Sequence, residues 1–144
     1  MRPFAALLVL ALVGAAPAAA TTGYVETPSK NIVCGYFTAP GTPATLECGV
    51  ASGLHPPAPK APSGCPKEID PAFNRLRLGA TGRPYGFCSG DAGVLALAGR
   101  ANVLAYGKTW QKGPFRCTSE TTGLTCKNTA GHGFFLSRQS WKSF

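Results

Sequence analysis

Apolar and polar positions alternate in short runs along this chain, and Gly or Pro ends each run before it reaches helical length. Asn31-Ile-Val-Cys34-Gly-Tyr-Phe37 and Ala44-Thr-Leu-Glu-Cys48-Gly-Val50 flank Ala-Pro-Gly-Thr-Pro, which predicts two strands around a turn. Phe115-Arg-Cys117 and Leu124-Thr-Cys126-Lys-Asn128 flank a second turn through 119–123 in the same way. Asn74-Arg-Leu-Arg-Leu78 has period two, so it predicts a half-buried strand with Leu76 and Leu78 inside and Arg75 and Arg77 facing water. A last strand covers Gly133–Arg138. Its neighbours Phe134 and Phe135 must point to opposite sides, so at least one is covered by a second layer or exposed at a contact surface.

Other segments carry weaker patterns. Pro28-Ser-Lys-Asn31 is a turn by composition, with Pro placed to preset the backbone and Asn31 as the residue tolerant of positive φ. Residues 51–64 include His55-Pro-Pro-Ala-Pro-Lys-Ala-Pro62, which cannot donate to a ladder and predicts an extended surface loop. Asp70-Pro71 has the form of a helix start, so Pro66–Phe73 is expected to hold one helical turn. Val94–Tyr106 is the longest apolar stretch after residue 21, expected as one or two buried strands broken at Gly99, with a short helix as the competing reading.

Composition sharpens this into a fold class. Eighteen Gly and 13 Pro in 144 residues leave little room for long helices, and 44% apolar content suits one globular core. The expectation is one all-β domain over about residues 24–144, a small disulfide-stapled barrel or sandwich of short antiparallel strands and hairpins. A leader precedes it: Arg2, the 13-residue apolar run Phe4–Ala16, and Ala18-Ala19-Ala20 before Thr21 have the form of a secretory signal over residues 1–20. The run is shorter than the about 20 residues of a membrane span, and the first cysteine is Cys34, too far along to be a lipid anchor. A secreted or periplasmic protein, not embedded in a membrane and monomeric, is expected.

Six cysteines in an exported chain point to three disulfides. Hairpin geometry favours Cys34 with Cys48 and Cys117 with Cys126, which leaves Cys65 with Cys88 across the Pro- and Gly-rich middle. Loops of this size contribute about 3 kcal/mol each by chain entropy. No two cysteines lie closer than nine positions and the only histidines are His55 and His132, so no metal and no cofactor is expected.

Fourteen Lys and Arg against six Asp and Glu give a net charge of +8. The bases are spread out, with nothing denser than Arg75-Leu-Arg77, so the charge has no nucleic-acid motif and fits attraction to anionic polymers. Catalytic groups are few, and none is assigned as catalytic. His132, between Gly131 and Gly133, reads first as a turn residue satisfied by backbone, and second as an acid or base. A phosphodiester-cleaving set would pair it with Glu120 or Asp91 and place Arg138 or Arg116 on the phosphate. A Ser137, His132, Asp91 triad can be drawn but lacks any nucleophile-elbow context. Tyr106, Trp110, Phe115, Phe134, Phe135 and Trp141 interleave with Lys108, Lys112, Arg116, Arg138 and Lys142, a pattern that suits stacking on a sugar or base beside a cation and equally suits a core with basic outer positions.

Seven segments, Thr27-Pro-Ser-Lys-Asn-Ile-Val-Cys34, Leu46-Glu-Cys48, Cys88-Ser-Gly-Asp91, Val103-Leu-Ala-Tyr-Gly107, Phe115-Arg-Cys117, Gly123-Leu-Thr-Cys126-Lys-Asn128 and Gly131-His-Gly-Phe-Phe-Leu-Ser-Arg138, together form one pattern. It resembles an uncharacterised family of small secreted bacterial domains with six cysteines. Lys30 stands where that pattern has Gly, and Ala105 where it commonly has Pro. The resemblance implies export and the cysteine framework and carries no activity. The function expected is therefore non-enzymatic binding of an anionic polymer or envelope glycan, with His132, Arg138, Trp110 and Arg116 as binding residues. Two alternatives are a small secreted hydrolase of phosphodiesters or glycans using His132, and an inhibitor that binds an exported protein, an enzyme, through a rigid loop at residues 53–63.

Overall fold

Both predicted hairpins form, and each is the centre of a five-stranded sheet in a computed structural model that describes residues 23–144. The expected leader lies outside the described residues. The first sheet holds β1 (Tyr24–Glu26), β2 (Ile32–Ala39), β3 (Thr42–Val50), β4 (Arg75–Gly79) and β5 (Asn102–Val103), in the order β4-β3-β2-β1-β5. The second holds β6 (Thr109–Lys112), β7 (Phe115–Glu120), β8 (Gly123–Lys127), β9 (Gly133–Leu136) and β10 (Trp141–Ser143), a meander in chain order. The two sheets remain separate and pack as a sandwich, which decides between the barrel and the sandwich. Every pairing is antiparallel except β1 with β5, where a two-residue strand returns parallel after a long excursion.

The disulfides set which side of each strand faces in. Cys34 pairs with Cys48 across β2 and β3, and Cys117 with Cys126 across β7 and β8, each with Cα atoms 4.1 Å apart. That is the short spacing of directly opposed residues in a non-hydrogen-bonded antiparallel pair. All four cysteines are fully buried, and the sulfurs of Cys34, Cys48 and Cys126 lie within 4.8 Å of one another. The two bridges thus meet at the centre of the sandwich. As disulfides they have no thiolate to offer a metal. Leu46, Leu76 and Leu78 from the first sheet and Phe115, Leu124, Phe134 and Leu136 from the second complete this core. The third bridge, Cys65–Cys88, fastens the loop segments instead.

Four expectations change. Leu76 and Leu78 are buried as predicted, but Arg75 is buried as well and Arg77 only half exposed, because a third layer covers them. Over Arg75 the layer is the 3-10 helix Gly93–Leu97, which takes in the start of the apolar stretch 94–106, where only Asn102–Val103 is strand; over Arg77 it is the Phe87 ring. Pro71 makes a bridge with Cys88 rather than starting a helical turn, since the nearby Cys65–Cys88 bond holds this segment against its partner. In the Pro28–Asn31 turn it is Lys30 that adopts positive φ, 58°, a conformation that favours Gly.

Candidate functional site

The outer faces of the two sheets determine where a ligand could lie. On the first sheet, Gly35 and Gly49 leave bare backbone on which the 3-10 helix sits: a Cβ at Gly35 would stand 2.9 Å from Val94, and one at Gly49 2.7 Å from Leu95. Glu47 stands beside them, buried, and accepts from Arg75 Nη1 at 2.8 Å, from Arg77 Nε at 3.0 Å and from the Val94 amide at 3.4 Å. Both guanidinium groups also lie against the Phe87 ring, at 5.1 and 3.8 Å. Arg75 Nη2 donates to the Asp91 carbonyl at 2.6 Å, and Glu26 accepts from the Gly99 amide at 2.6 Å. Every charge on this face is matched by a neighbour. Exposed Asp91 belongs to the same network: its carboxyl is held below the usual 3.8, first by the Ser89 hydroxyl, then by the Gly93 amide, with Arg75 and Arg77 adding to it.

The outer face of the second sheet has no such layer. Its residues follow from the inward cysteines, because side chains alternate along each strand. Strand register aligns Gln111, Arg116, Lys127 and Gly133 in one row, and Thr109, Thr118, Thr125, Phe135 and Lys142 in the next. Gly133 lets β9 approach β8 closely, since a Cβ there would collide with the Cys126 carbonyl. Across from Gly133, Phe144 exchanges both backbone hydrogen bonds with it, and the exposed Phe144 ring borders a groove of about 380 Å³ with Arg116, Thr118, Glu120, Thr125 and Lys127. Lys142 Nζ lies 5.9 Å from the half-buried Phe135 ring. Among the described residues, the side chains of Arg116 and Lys127 make no ion pair or hydrogen bond. Arg116 and Lys127 also line a second hollow with Asn128 and Gly131, and at the other end Glu120 also lines a separate cleft bordered by Tyr106 and Arg138.

Of the residues expected from sequence, Arg116 lies in the groove and Arg138 at its far cleft. Trp110 is in neither place. It sits opposite Cys117 in the core, only 7% exposed, so its ring packs inside and offers no face for stacking. His132 closes the β8–β9 turn: its amide donates to Asn128 Oδ1 at 3.1 Å and its carbonyl accepts from Asn128 N at 2.9 Å. Asn128 in turn donates to Gly79 and Gly82 at 2.9 Å each, tying this turn to the first sheet. The length of β9 separates His132 from Arg138, and Asp91 lies on the other sheet's outer face, so the residues drawn for a hydrolytic set are not assembled. Ser137 Oγ donates to the Ser140 carbonyl at 2.8 Å, which closes a turn.

The Pro-rich loop is docked along its length. Leu54 is buried, Trp141 Nε1 donates to the Pro56 carbonyl at 2.7 Å, Ala58 bonds the Phe73 carbonyl at 2.8 Å, and the Pro59 carbonyl presses on Gly86. Lys127 and Phe144 in the groove were not singled out from sequence as binding residues. Strand parity counted from Cys117 and Cys126 would have placed Arg116 and Lys127 together.

The chain belongs to a family of unknown function, DUF6636, whose model matches residues 5–144. No curated protein and no solved structure matches it.

Proposed function

We propose that this chain is an exported, non-enzymatic binding protein that holds an extended anionic glycan along the outer face of its second sheet. The single observation behind this reading is the uncovered groove, with Arg116 and Lys127 unpaired beside Phe144, on a protein whose other sheet has its outward charges covered and paired. Cations without partners and exposed aromatic edges suit a chain that carries carboxylates on sugar rings: the cations meet the acid groups and the rings meet apolar sugar faces. A groove along a flat sheet admits a repeating polymer without demanding a unique end. Export rests on the leader-like segment at residues 1–20 and on three disulfides, which suit an oxidising compartment.

Polygalacturonate, a carboxylated glycan, tests this against neutral dextran and against polyphosphate, at about 50 and about 500 mM salt. Polygalacturonate is expected to bind at both, and dextran at neither. The double variant Arg116→Gln, Lys127→Gln should weaken polygalacturonate binding about tenfold or more while the melting temperature holds. Binding that vanishes at high salt, or that favours polyphosphate, reduces the interaction to net charge and overturns the reading.

A further inference from the structure

The groove's two ends differ in chemistry. At the end where β7 turns into β8, Glu120 lines both the groove and a separate cleft of about 240 Å³. This cleft opens between the layers, with the β1–β2 turn of the first sheet on one side and the β7–β8 and β9–β10 turns of the second on the other. It is smaller than the about 300–1,000 Å³ of sites for drug-sized molecules, and its size suits one sugar unit.

The wall residues of the cleft are occupied with holding its shape. Thr27 Oγ1 accepts from the Ile32 amide at 3.3 Å, Asn31 Oδ1 accepts from the Ser52 amide at 3.0 Å, and Ser137 Oγ both donates to and accepts from Ser140. The side chains of Glu120, Arg138 and Gln139 and the Tyr106 hydroxyl make no hydrogen bond or ion pair with any described residue. Tyr106 is also among the exposed large apolar side chains, at 44%. The cleft therefore combines a fixed frame with a guanidinium, a carboxylate, an amide and a phenol ring left free.

We propose that this cleft receives the terminal unit of the same glycan, a single sugar acid. The inference rests on the outer-face reading, because Glu120 joins the two spaces. Arg138 pairs the carboxylate of that unit, a charge-assisted contact for which the planar guanidinium is suited. Glu120 accepts hydrogen bonds from sugar hydroxyls, and Tyr106 offers an apolar ring edge to the sugar face. The cleft takes an end and not a run because its volume suits one unit, and a terminal unit brings extra free hydroxyls for Glu120 to accept from. The protein thus recognises where a chain stops.

Calorimetry and chemical-shift titration with D-galacturonate, D-galactose and inorganic phosphate test this on the oxidised protein. Galacturonate is expected to bind with shifts at Tyr106 and Arg138, and galactose and phosphate each about tenfold more weakly or not at all. Arg138→Gln should lower galacturonate affinity about tenfold, Glu120→Gln should lower it too, and Lys67→Gln, at an exposed position away from the groove and cleft, should leave it unchanged. Equal affinity for phosphate, or no response to Arg138→Gln in a variant that melts normally, overturns the cleft assignment. The two readings fail separately. If polygalacturonate binds through Arg116 and Lys127 but the monomer does not bind, the cleft inference falls and the outer face stands; if the monomer binds through Arg138 but the polymer ignores Arg116 and Lys127, the outer-face reading falls.

Discussion

The outer faces of the two sheets carry similar charged residues in opposite environments. On the first sheet, Glu47 and Arg75 are buried beneath the 3-10 helix and matched contact by contact; on the second, Arg116 and Lys127 stand in an open groove with no partner among the described residues. A charge removed from water must be met by another charge or by several hydrogen bonds, or it costs several kcal/mol. A charge left in water has no such need and remains available to a ligand. The difference separates a face whose charges are consumed within the fold from one whose charges are not.

Breaking the covered face should have the largest effect. Glu47→Ala leaves buried Arg75 without its buried carboxylate, with only the exposed Asp91 beside it, and is expected to cost about 3–5 kcal/mol in urea unfolding of the oxidised protein. A loss under about 1 kcal/mol would mean that the third layer does not close over Arg75 in solution. Gly49→Val tests the same cover from below: its side chain must displace Leu95, for an expected loss of about 1–3 kcal/mol, and amide exchange at residues 93–99 should accelerate. The open face should respond differently. Arg116→Gln with Lys127→Gln is expected to change stability by no more than about 0.5 kcal/mol while polygalacturonate binding falls, so a large stability loss there would end the comparison.

The smallest effect concerns pH. Because the Asp91 carboxyl is held below its usual value in the folded chain, its contribution is present above that value and is lost as pH falls through the lower folded one. Asp91→Asn should therefore flatten the acid side of the stability profile below about pH 4, with stability at neutral pH lowered by the small amount that the unaltered chain loses in acid. An unaltered acid limb would show that Ser89 and Gly93 do not hold the carboxylate in solution.

Much of the frame was legible in the sequence because hairpins and disulfides are local devices. Cys34 and Cys48 lie on two runs joined by one short turn, as do Cys117 and Cys126, so their pairing needs no knowledge of the rest of the fold. The alternation in residues 75–78 correctly placed both leucines. It could not place the arginines, since period two says only which side a residue takes and not what covers that side. The stretch 94–106 illustrates the same limit: apolar and rich in Ala and Gly, it takes its shape from the glycines of β2 and β3 on which it rests. For the site, Arg116 and Arg138 were visible as cations near aromatics. Trp110 was misjudged because nearness in sequence to lysines does not reveal that its strand partner is Cys117.

By itself the sequence determined an all-β chain with three disulfides, its two stapled hairpins and its excess of positive charge, because each depends on residue type and short spacing. Only the tertiary structure decided that the strands of the described residues divide into two open sheets, that the 3-10 helix covers the charges of one outer face while those of the other stay bare, and that Glu120 and Arg138, 18 positions apart, border the same cleft. Those outcomes depend on contacts between distant segments, where the packing of one layer on another fixes which charges are buried and which remain free.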